Sequence, residues 1–213
     1  MIYRIAFIGP QGCGKGTQAV QLAKHLGIPQ ITPGAIYRQE IAAGTERGNA
    51  IAPIVNAGGM VPDEISNALV AERVGKPDCT NGFILDGYPR TMVQVHAIDE
   101  HIGPLTHVFF LDIDDETAVD RLANRLVCIC GIPYPGKEIA IDPGQETRCT
   151  ECKGQLQKRP DDNPDAVRKR LQIYHERTEP IIAEYRTRGV LIPIDGTRSI
   201  GEVYQEILEK VTP

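Results

Sequence analysis

A glycine-rich segment at residues 9–17, Gly-Pro-Gln-Gly-Cys-Gly-Lys-Gly-Thr, constrains the fold of this chain more than any other feature. It follows the apolar run at residues 5–8 and precedes a stretch with helical spacing of apolar residues. Such a turn exposes several backbone N–H groups at the positive end of a helix dipole, and this arrangement binds phosphate. An ordinary glycine-rich turn is the alternative. Gly9, Gly14 and Lys15 have the P-loop spacing, and Thr17 supplies a hydroxyl group for magnesium.

Further apolar runs predict the strands of a parallel sheet. After the run at residues 5–8, we expect strands at residues 30–31, 83–86, 108–113 and 190–194. The longer runs are nearly continuous and are separated by helical stretches, which is typical of parallel strands that are covered on both faces. The sequence therefore predicts an α/β protein of the P-loop NTPase fold, with a five-stranded parallel sheet and helices on both faces.

Two stretches interrupt this alternation of strands and helices. Residues 32–61 are polar and rich in Gly and Ala, and residues 124–162 contain many Gly, Pro, Cys and charged residues. We interpret both as insertions. The predicted core then consists of residues 1–31, 62–123 and 163–213.

The composition argues against two classes of partner. A net charge of −5 on 213 residues does not favour nonspecific binding to nucleic acids or membranes. The apolar runs are also too short for a signal or membrane segment. We therefore expect a cytoplasmic protein with no nucleic-acid or membrane partner.

Charged residues near the predicted sheet edge indicate phosphoryl chemistry. Asp86 ends a predicted strand, as does a Walker-B carboxylate that holds magnesium, although it could instead cap a turn before Gly87. A single surface arginine is usually a solvated charge. Phosphoryl transfer, however, brings several negative oxygens together, and guanidinium groups neutralise them with paired hydrogen bonds. The candidate arginines are Arg38, Arg90, Arg121, Arg125, Arg159 and Arg170.

Four of the six cysteines form two close pairs, Cys128 with Cys130 and Cys149 with Cys152. In a cytosolic enzyme this grouping favours a metal site over disulfide bonds. Reduced thiols without a metal are the alternative.

Sequence strings in a characteristic order resemble the adenylate kinase family over nearly the whole chain. Residues 9–18, GPQGCGKGTQ, resemble its phosphate loop, including the threonine displaced to position 17. Residues 81–94, NGFILDGYPRTMVQ, resemble its nucleoside-monophosphate signature. The other matching strings lie at residues 119–125, 159–162, 168–171 and 195–197.

The resemblance implies an enzyme that transfers a phosphoryl group reversibly from MgATP to AMP and forms two ADP. The transfer would be direct and in line, without a covalent intermediate. Residues 32–61 would bind the nucleoside monophosphate. Residues 124–162 would form a lid whose closure excludes water, which could otherwise accept the phosphoryl group.

The resemblance also implies a role for each site residue. The catalytic residues would be Lys15, Arg90, Arg125, Arg159 and Arg170. The ATP site would comprise Gly12, Cys13, Gly14, Lys15, Gly16, Thr17, Arg121, Arg125, Tyr134 and Arg198, with Arg121 stacked on the adenine. The acceptor site would comprise Thr32, Pro33, Gly34, Arg38, Met60, Val61, Gly87, Arg90, Gln94, Arg159 and Arg170, with Gln94 reading the base. Thr17 and Asp86 would hold magnesium directly or through water, and Asp161 and Asp162 would latch or hinge the closed lid.

Zinc-bearing lids of this family carry a CxxC…CxxC pattern. The resemblance therefore implies one structural zinc ion per chain, held by Cys128, Cys130, Cys149 and Cys152, although the first pair is one residue short. Members of this length are commonly monomers, and we expect the same here.

Two departures from the family leave the acceptor open. Where relatives have Ser-Thr-Gly-Asp, this chain has Thr32, Pro33, Gly34 and Ala35. Pro33 has no hydroxyl or backbone N–H group for a base, and Ala35 cannot support the water shell of the metal. A UMP/CMP-type kinase is therefore an alternative, although Gln94 favours AMP. A nucleotide-binding regulatory protein with little turnover is an alternative of a different class.

Overall fold

The computed structural model describes residues 2–128, 130, 133–134, 148–150, 152–158 and 164–211. Its main feature is a five-stranded sheet in the spatial order β2-β3-β1-β4-β8, and every neighbouring pair is parallel. This confirms the predicted α/β fold and sheet. The strands are β1 (Tyr3–Ile8), β2 (Gln30–Ile31), β3 (Gly82–Asp86), β4 (His107–Asp112) and β8 (Leu191–Asp195).

The sheet is buried on both faces because its strands are apolar on both faces. Successive side chains of a strand point to opposite sides. In β1, Ile5 and Phe7 accordingly enter one hydrophobic cluster, whereas Ala6 and Ile8 enter the other. All four side chains are at most 1% exposed. The nearly continuous apolar runs of the sequence thus reflect two separate cores, one on each side of the sheet.

Helices supply the other half of each core. The first face is covered by α1 (Lys15–Leu26), α6 (Asp115–Ala123), α7 (Pro164–Ile173) and α9 (Ile200–Val211). The opposite face is covered by α4 (Asp63–Val74), α5 (Met92–His101) and α8 (Glu179–Thr187). A π-helical turn at Tyr174–Thr178 joins α7 to α8, and a 3-10 turn at Pro77–Cys79 precedes β3.

Two groups of elements lie within the predicted insertions. Helices α2 (Pro33–Ala42) and α3 (Glu46–Asn56) fall in the stretch 32–61. A three-stranded antiparallel sheet falls in the stretch 124–162 and has the order β6-β5-β7. Its strands are β5 (Leu126–Cys128), β6 (Pro133–Tyr134) and β7 (Leu156–Gln157). The division of the chain into a core and two functional insertions stays a prediction.

Within the described part of the chain, none of the helices combines the length and apolar character that crossing a membrane requires.

Candidate active site

The phosphate loop connects β1 to the start of α1, and its backbone requires glycine. Gly9 has a φ of +140°, and a Cβ atom there would lie 2.2 Å from the carbonyl oxygen of Leu111. Gly14 has a φ of 97° and caps α1 without a side-chain hydrogen bond. Side chains are thus absent where the loop is tightest, and the first N–H groups of α1 face the loop.

The Lys15 side chain folds over this loop. Its Nζ atom donates hydrogen bonds to the carbonyl oxygens of Gly9 at 2.8 Å and Pro10 at 2.6 Å, and it lies 3.4 Å from Cys13 Sγ. The ammonium group is therefore held directly beside the N–H groups that would bind phosphate. Positive charge and backbone donors converge at the same place.

Asp86 stands next to the phosphate loop because β3 pairs with β1, which places Asp86 opposite Phe7. Its Oδ2 atom accepts hydrogen bonds from Gln30 Nε2 at 2.9 Å and from Thr32 Oγ1 at 3.3 Å. The sequence did not single out Gln30. Only the pairing of β2 with β3 brings it to the carboxylate.

One cleft of about 700 Å³ opens at the carboxyl ends of the central strands. This is the edge at which open α/β sheets bind ligands. Of the predicted phosphate-neutralising residues in the described segments, those that line the cleft are Lys15, Arg38, Arg90, Arg121, Arg125 and Arg170. A cleft with this density of positive charge suits a ligand with several phosphate groups.

Two of these arginines are oriented by backbone carbonyl groups. Arg90 Nε donates to the carbonyl oxygen of Gly87 at 2.7 Å, and Gly87 adopts a φ of +71° in the turn after β3. Arg121 donates to the carbonyl oxygens of Gly196 at 2.8 Å and Thr197 at 3.3 Å. The sequence places these partners 75 and 76 residues apart, so only the fold joins them.

The remaining predicted nucleotide-binding residues of the described segments also reach the cleft. On the ATP side they are Gly12, Cys13, Gly14, Gly16, Thr17, Tyr134 and Arg198, and on the acceptor side they are Thr32, Pro33, Gly34, Met60, Val61, Gly87 and Gln94. Arg198 is paired with Glu206 of α9. Arg159, Asp161 and Asp162 lie outside the described residues.

Two tyrosines support the predicted acceptor side, Tyr88, which is buried, and Tyr37, which is partly buried. Tyr37 donates to Ser66 Oγ at 2.7 Å, and Tyr88 donates to Asn67 Oδ1 at 2.7 Å. Burial raises the pKa of both phenols above the ordinary value, most strongly for Tyr88. Both hydroxyl groups are therefore donors at neutral pH, and they tie this side of the cleft to α4.

The four predicted metal-ligating cysteines converge beside the cleft. Their sulfur atoms all lie within 4.8 Å of one another, and Cys128 Sγ is 3.2 Å from Cys152 Sγ. Ligands of a tetrahedral site with Zn–S bonds of about 2.3 Å are separated by about 3.8 Å, so the cluster fits zinc. All six cysteines lie in the described segments, and none of them forms a disulfide bond there.

The shortened Cys128–Cys130 pair does not prevent this convergence. Cys128 lies on β5, whereas Cys149 and Cys152 lie on a turn in which the Gly154 N–H group donates to Cys152 Sγ at 3.4 Å. Tyr134, predicted as an ATP-site residue, donates to Cys149 Sγ at 3.2 Å. It therefore connects the cluster to the cleft.

Sequence reasoning missed Asp63 as a site residue. The segment Pro62-Asp63-Glu64 only indicates the start of a helix. In the structure, Asp63 Oδ1 accepts a hydrogen bond from Gln94 Nε2 at 2.6 Å. No local pattern pairs two residues that are 31 positions apart.

The family model and the following relatives all carry the same family name. The family model described as adenylate kinase matches residues 7–190. An adenylate kinase of Thermosipho melanesiensis is 40% identical over 209 residues, which cover 96% of this chain and 97% of the relative. One of Archaeoglobus fulgidus is 40% identical over 215 residues, covering 97% and 98%. One of Fervidobacterium nodosum is 43% identical over 204 residues, covering 93% of each.

Proposed function

The chain belongs to the adenylate kinase family. From this premise we propose which role each site residue has in phosphoryl transfer from MgATP to AMP. The observation that carries the proposal is the convergence of Lys15 and five arginines on one cleft behind a phosphate-binding loop. Because the reaction moves a phosphoryl group from a triphosphate to the phosphate of a monophosphate, catalysis is mainly positioning and neutralisation of charge.

At the donor end, the N–H groups of residues 12–17 and the Lys15 ammonium group bind the ATP phosphates. Arg121 lies against the loop at Gly196 and Thr197, and its guanidinium plane stacks on the adenine. Arg198 and Tyr134 border the same region of the cleft. Thr17 and Asp86 are oxygen ligands of the kind that magnesium prefers, and they would hold the ion directly or through water. When bound, magnesium neutralises charge on the phosphate oxygens.

At the acceptor end, Arg38 and Arg90 bind the phosphate of the monophosphate, and Gln94 contacts its base. Thr32, Pro33, Gly34, Met60, Val61 and Gly87 form the surrounding wall. Arg125 and Arg170 face the transferring group from the other side of the cleft, so that its equatorial oxygens meet guanidinium groups in the transition state. Arg159 would join them, and Asp161 and Asp162 would latch the lid.

The cysteine cluster is proposed to hold one structural zinc ion per chain. Thiolate sulfurs of Cys128, Cys130, Cys149 and Cys152 suit tetrahedral zinc, and Cys149 and Leu156 are buried in the small core that the cluster shares with β5 and β7. Zinc in this place would crosslink β5 to the turn that carries Cys149 and Cys152, beside a sheet that has little apolar core of its own. We further propose that the protein acts as a monomer and is cytoplasmic.

A coupled assay of ADP formation tests the function and the acceptor together. We expect MgATP-dependent turnover with AMP, and a higher kcat/KM for AMP than for CMP or UMP. Faster turnover of UMP or CMP would identify a pyrimidine-type kinase despite the family. No ADP with any monophosphate would support the regulatory alternative. Lys15→Met, which keeps an unbranched side chain of similar length but removes its charge, is expected to lower kcat by about 10²-fold or more.

A further inference from the structure

Gln94 occupies a buried position at the acceptor end of the cleft. It lies in the first turn of α5 and is 2% exposed. Its backbone N–H group donates to Thr91 Oγ1, the N-cap of this helix, at 3.2 Å. Thr91 and Gln94 have the spacing of a capping box, in which the glutamine side chain turns back toward the start of the helix.

Both ends of the Gln94 amide have a fixed partner. Oε1 accepts a hydrogen bond from the backbone N–H group of Arg90 at 2.7 Å. Nε2 donates to Asp63 Oδ1, at the first residue of α4, at 2.6 Å. Rotating the amide by 180° would place Nε2 against the Arg90 N–H group and Oε1 against the Asp63 carboxylate. Both contacts would become repulsive, so the two partners permit only one orientation.

The partners are themselves held in place. The carbonyl oxygen of Arg90 accepts a hydrogen bond from Thr178 Oγ1 at 3.1 Å. Thr178 is 4% exposed and lies in the π-helical turn between α7 and α8. The backbone of Arg90 is thus held at both its N–H group and its carbonyl group. Asp63 is held by its place at the start of α4.

The fixed amide leaves a defined hydrogen-bonding capacity for a base. An amide carries two acceptor lone pairs and two N–H groups. The two protein contacts use one of each, so one lone pair on Oε1 and one N–H group on Nε2 remain. Pro33, on the same side of the cleft, contributes neither a hydroxyl nor an N–H group that could share the reading of the base.

The remaining lone pair and N–H group of Gln94 complement the hydrogen-bonding edge of one class of base and repel that of another. Adenine and cytosine present an amino donor next to a ring nitrogen that accepts, which complements an acceptor next to a donor. Hypoxanthine and uracil present an oxo acceptor next to a ring N–H donor, the reverse at both atoms. With an oxo base, the acceptor of the Gln94 amide would face an acceptor and its N–H group would face a donor. Such a base is rejected strongly, because the buried polar groups then lose their hydrogen bonds.

We propose that Asp63 is a specificity-determining positioning residue, which together with the Arg90 N–H group fixes the orientation of Gln94 so that the acceptor site takes 6-amino or 4-amino bases and rejects their oxo counterparts. The proposal rests on the proposed acceptor site and deepens it. CMP shares the amino pattern with AMP, so this edge of the base does not separate the two, and the expected preference for AMP over CMP comes from the rest of the acceptor site.

A structural role is the competing explanation. Asp63 is an acidic residue in the first turn of α4, where a negative charge favours the helix dipole. Glu64 is the matched control because it is also acidic, follows Asp63 directly in the same turn and is exposed. Removing Glu64 removes a charge from the helix start without touching Gln94.

The test compares AMP with IMP, which differ only at this edge of the base. The ratio of kcat/KM for AMP to that for IMP is measured for the wild type, Asp63→Ala, Asp63→Asn and Glu64→Ala. We expect Asp63→Ala to lower the ratio at least tenfold, with kcat/KM for CMP falling alongside that for AMP. Asp63→Asn is expected to stay within about threefold of the wild type, because its Oδ1 atom can still accept from Gln94 Nε2. Glu64→Ala is expected to leave the ratio unchanged.

Several results would overturn the proposal. One is an equal loss with AMP and IMP in Asp63→Ala, and another is a matching change of the ratio in Glu64→Ala. If Asp63→Ala does not fold, Asp63→Ser replaces it, because serine still suits a helix start but is too short to reach Gln94. A wild type that phosphorylates AMP and IMP equally well would refute the role of Asp63 and leave the kinase function standing. A wild type that makes no ADP from any monophosphate would refute both.

Discussion

At the scale of single residues, the phosphate loop shows how backbone geometry selects an amino acid. Gly9 combines a positive φ with a close approach to β4, and an added Cβ atom would lie 2.2 Å from the Leu111 carbonyl oxygen. That oxygen belongs to the central sheet and cannot move aside without disturbing it. Gly27 also has a positive φ, of +64°, but a Cβ atom added there would meet open space, with no heavy atom of the described residues within 4 Å apart from its chain neighbours.

The two glycines therefore make a matched pair of substitutions. We expect Gly9→Ala to lower the free energy of unfolding by more than about 3 kcal/mol, because strain and overlap add. Gly27→Ala, which adds only the cost of the left-handed conformation, is expected to lower it by about 1 kcal/mol. Urea unfolding measures both. Equal effects of the two substitutions would show that close approach to Leu111 does not matter.

Pro33 and Ala35 are the residues that leave the acceptor base open in the sequence, and the structure gives Pro33 a context. Pro33 lies in the first turn of α2, where its missing N–H group costs the helix nothing. Thr32, just before it, donates to Asp86. The proposed reader of the acceptor base is therefore Gln94, whose amide is set by contacts with Arg90 and with Asp63 of α4.

At the scale of elements, the small antiparallel sheet of β5, β6 and β7 is the part with the weakest apolar core. Its buried cluster contains Cys128, Cys149 and Leu156, with Leu126 and Tyr134 packed against it. A core of this size gives little stability by burial alone, and a structural metal is the usual remedy in such a small unit.

Substitution of a cysteine tests the metal. We expect the wild type, prepared without chelators, to contain about one zinc ion per chain, and Cys149→Ser to lose it and to melt at a lower temperature. Cys79→Ser is the control, because Cys79 is also buried but lies outside the cluster, on the 3-10 turn before β3. Elemental analysis and thermal unfolding give the two readouts. Absence of zinc from the wild type would dismiss the metal site.

At the scale of the whole molecule, the order of strands separates the two proposed nucleotide sites. The predicted acceptor residues follow β2 and β3, at one side of the sheet, whereas the predicted donor residues follow β1, β4 and β8 toward the other. Neighbouring strands lie about 4.8 Å apart, so this order sets the spacing of the two ends of the cleft. Arg38 of α2 lies at the proposed acceptor end, and Arg121 of α6 lies at the proposed donor end.

Ligand-induced stabilisation should report the two ends separately. A ligand at about 100 times its Kd stabilises the native state by about 2.7 kcal/mol, so AMP and ATP should each raise the melting temperature of the wild type. We expect Arg38→Ala to reduce the shift with AMP but not with ATP, and Arg121→Ala to do the reverse. Each variant controls for the other. A variant that reduced both shifts equally would contradict the separation of the two ends.

The sequence alone determined those parts of the structure that depend on residues close to one another along the chain. The phosphate loop, the apolar strands and the amphipathic helices depend on spacings of a few residues, which set the side-chain direction and the backbone φ. The P-loop fold with its five parallel strands followed from these patterns, and the order of the family strings indicated the reaction that the family comparison shows.

Only the tertiary structure decided which distant polar groups meet. Gln30 and Asp86 are 56 residues apart, and Asp63 and Gln94 are 31 apart. The first pair forms because β2 pairs with β3, and the second because α4 and α5 begin close to each other beside the cleft. Hydrogen bonds of this kind have no period in the sequence, since they depend on the packing of elements and not on the chain between them. The phosphate loop could therefore be predicted from its own residues, whereas the hydrogen bonds that orient the predicted reader of the acceptor base could not.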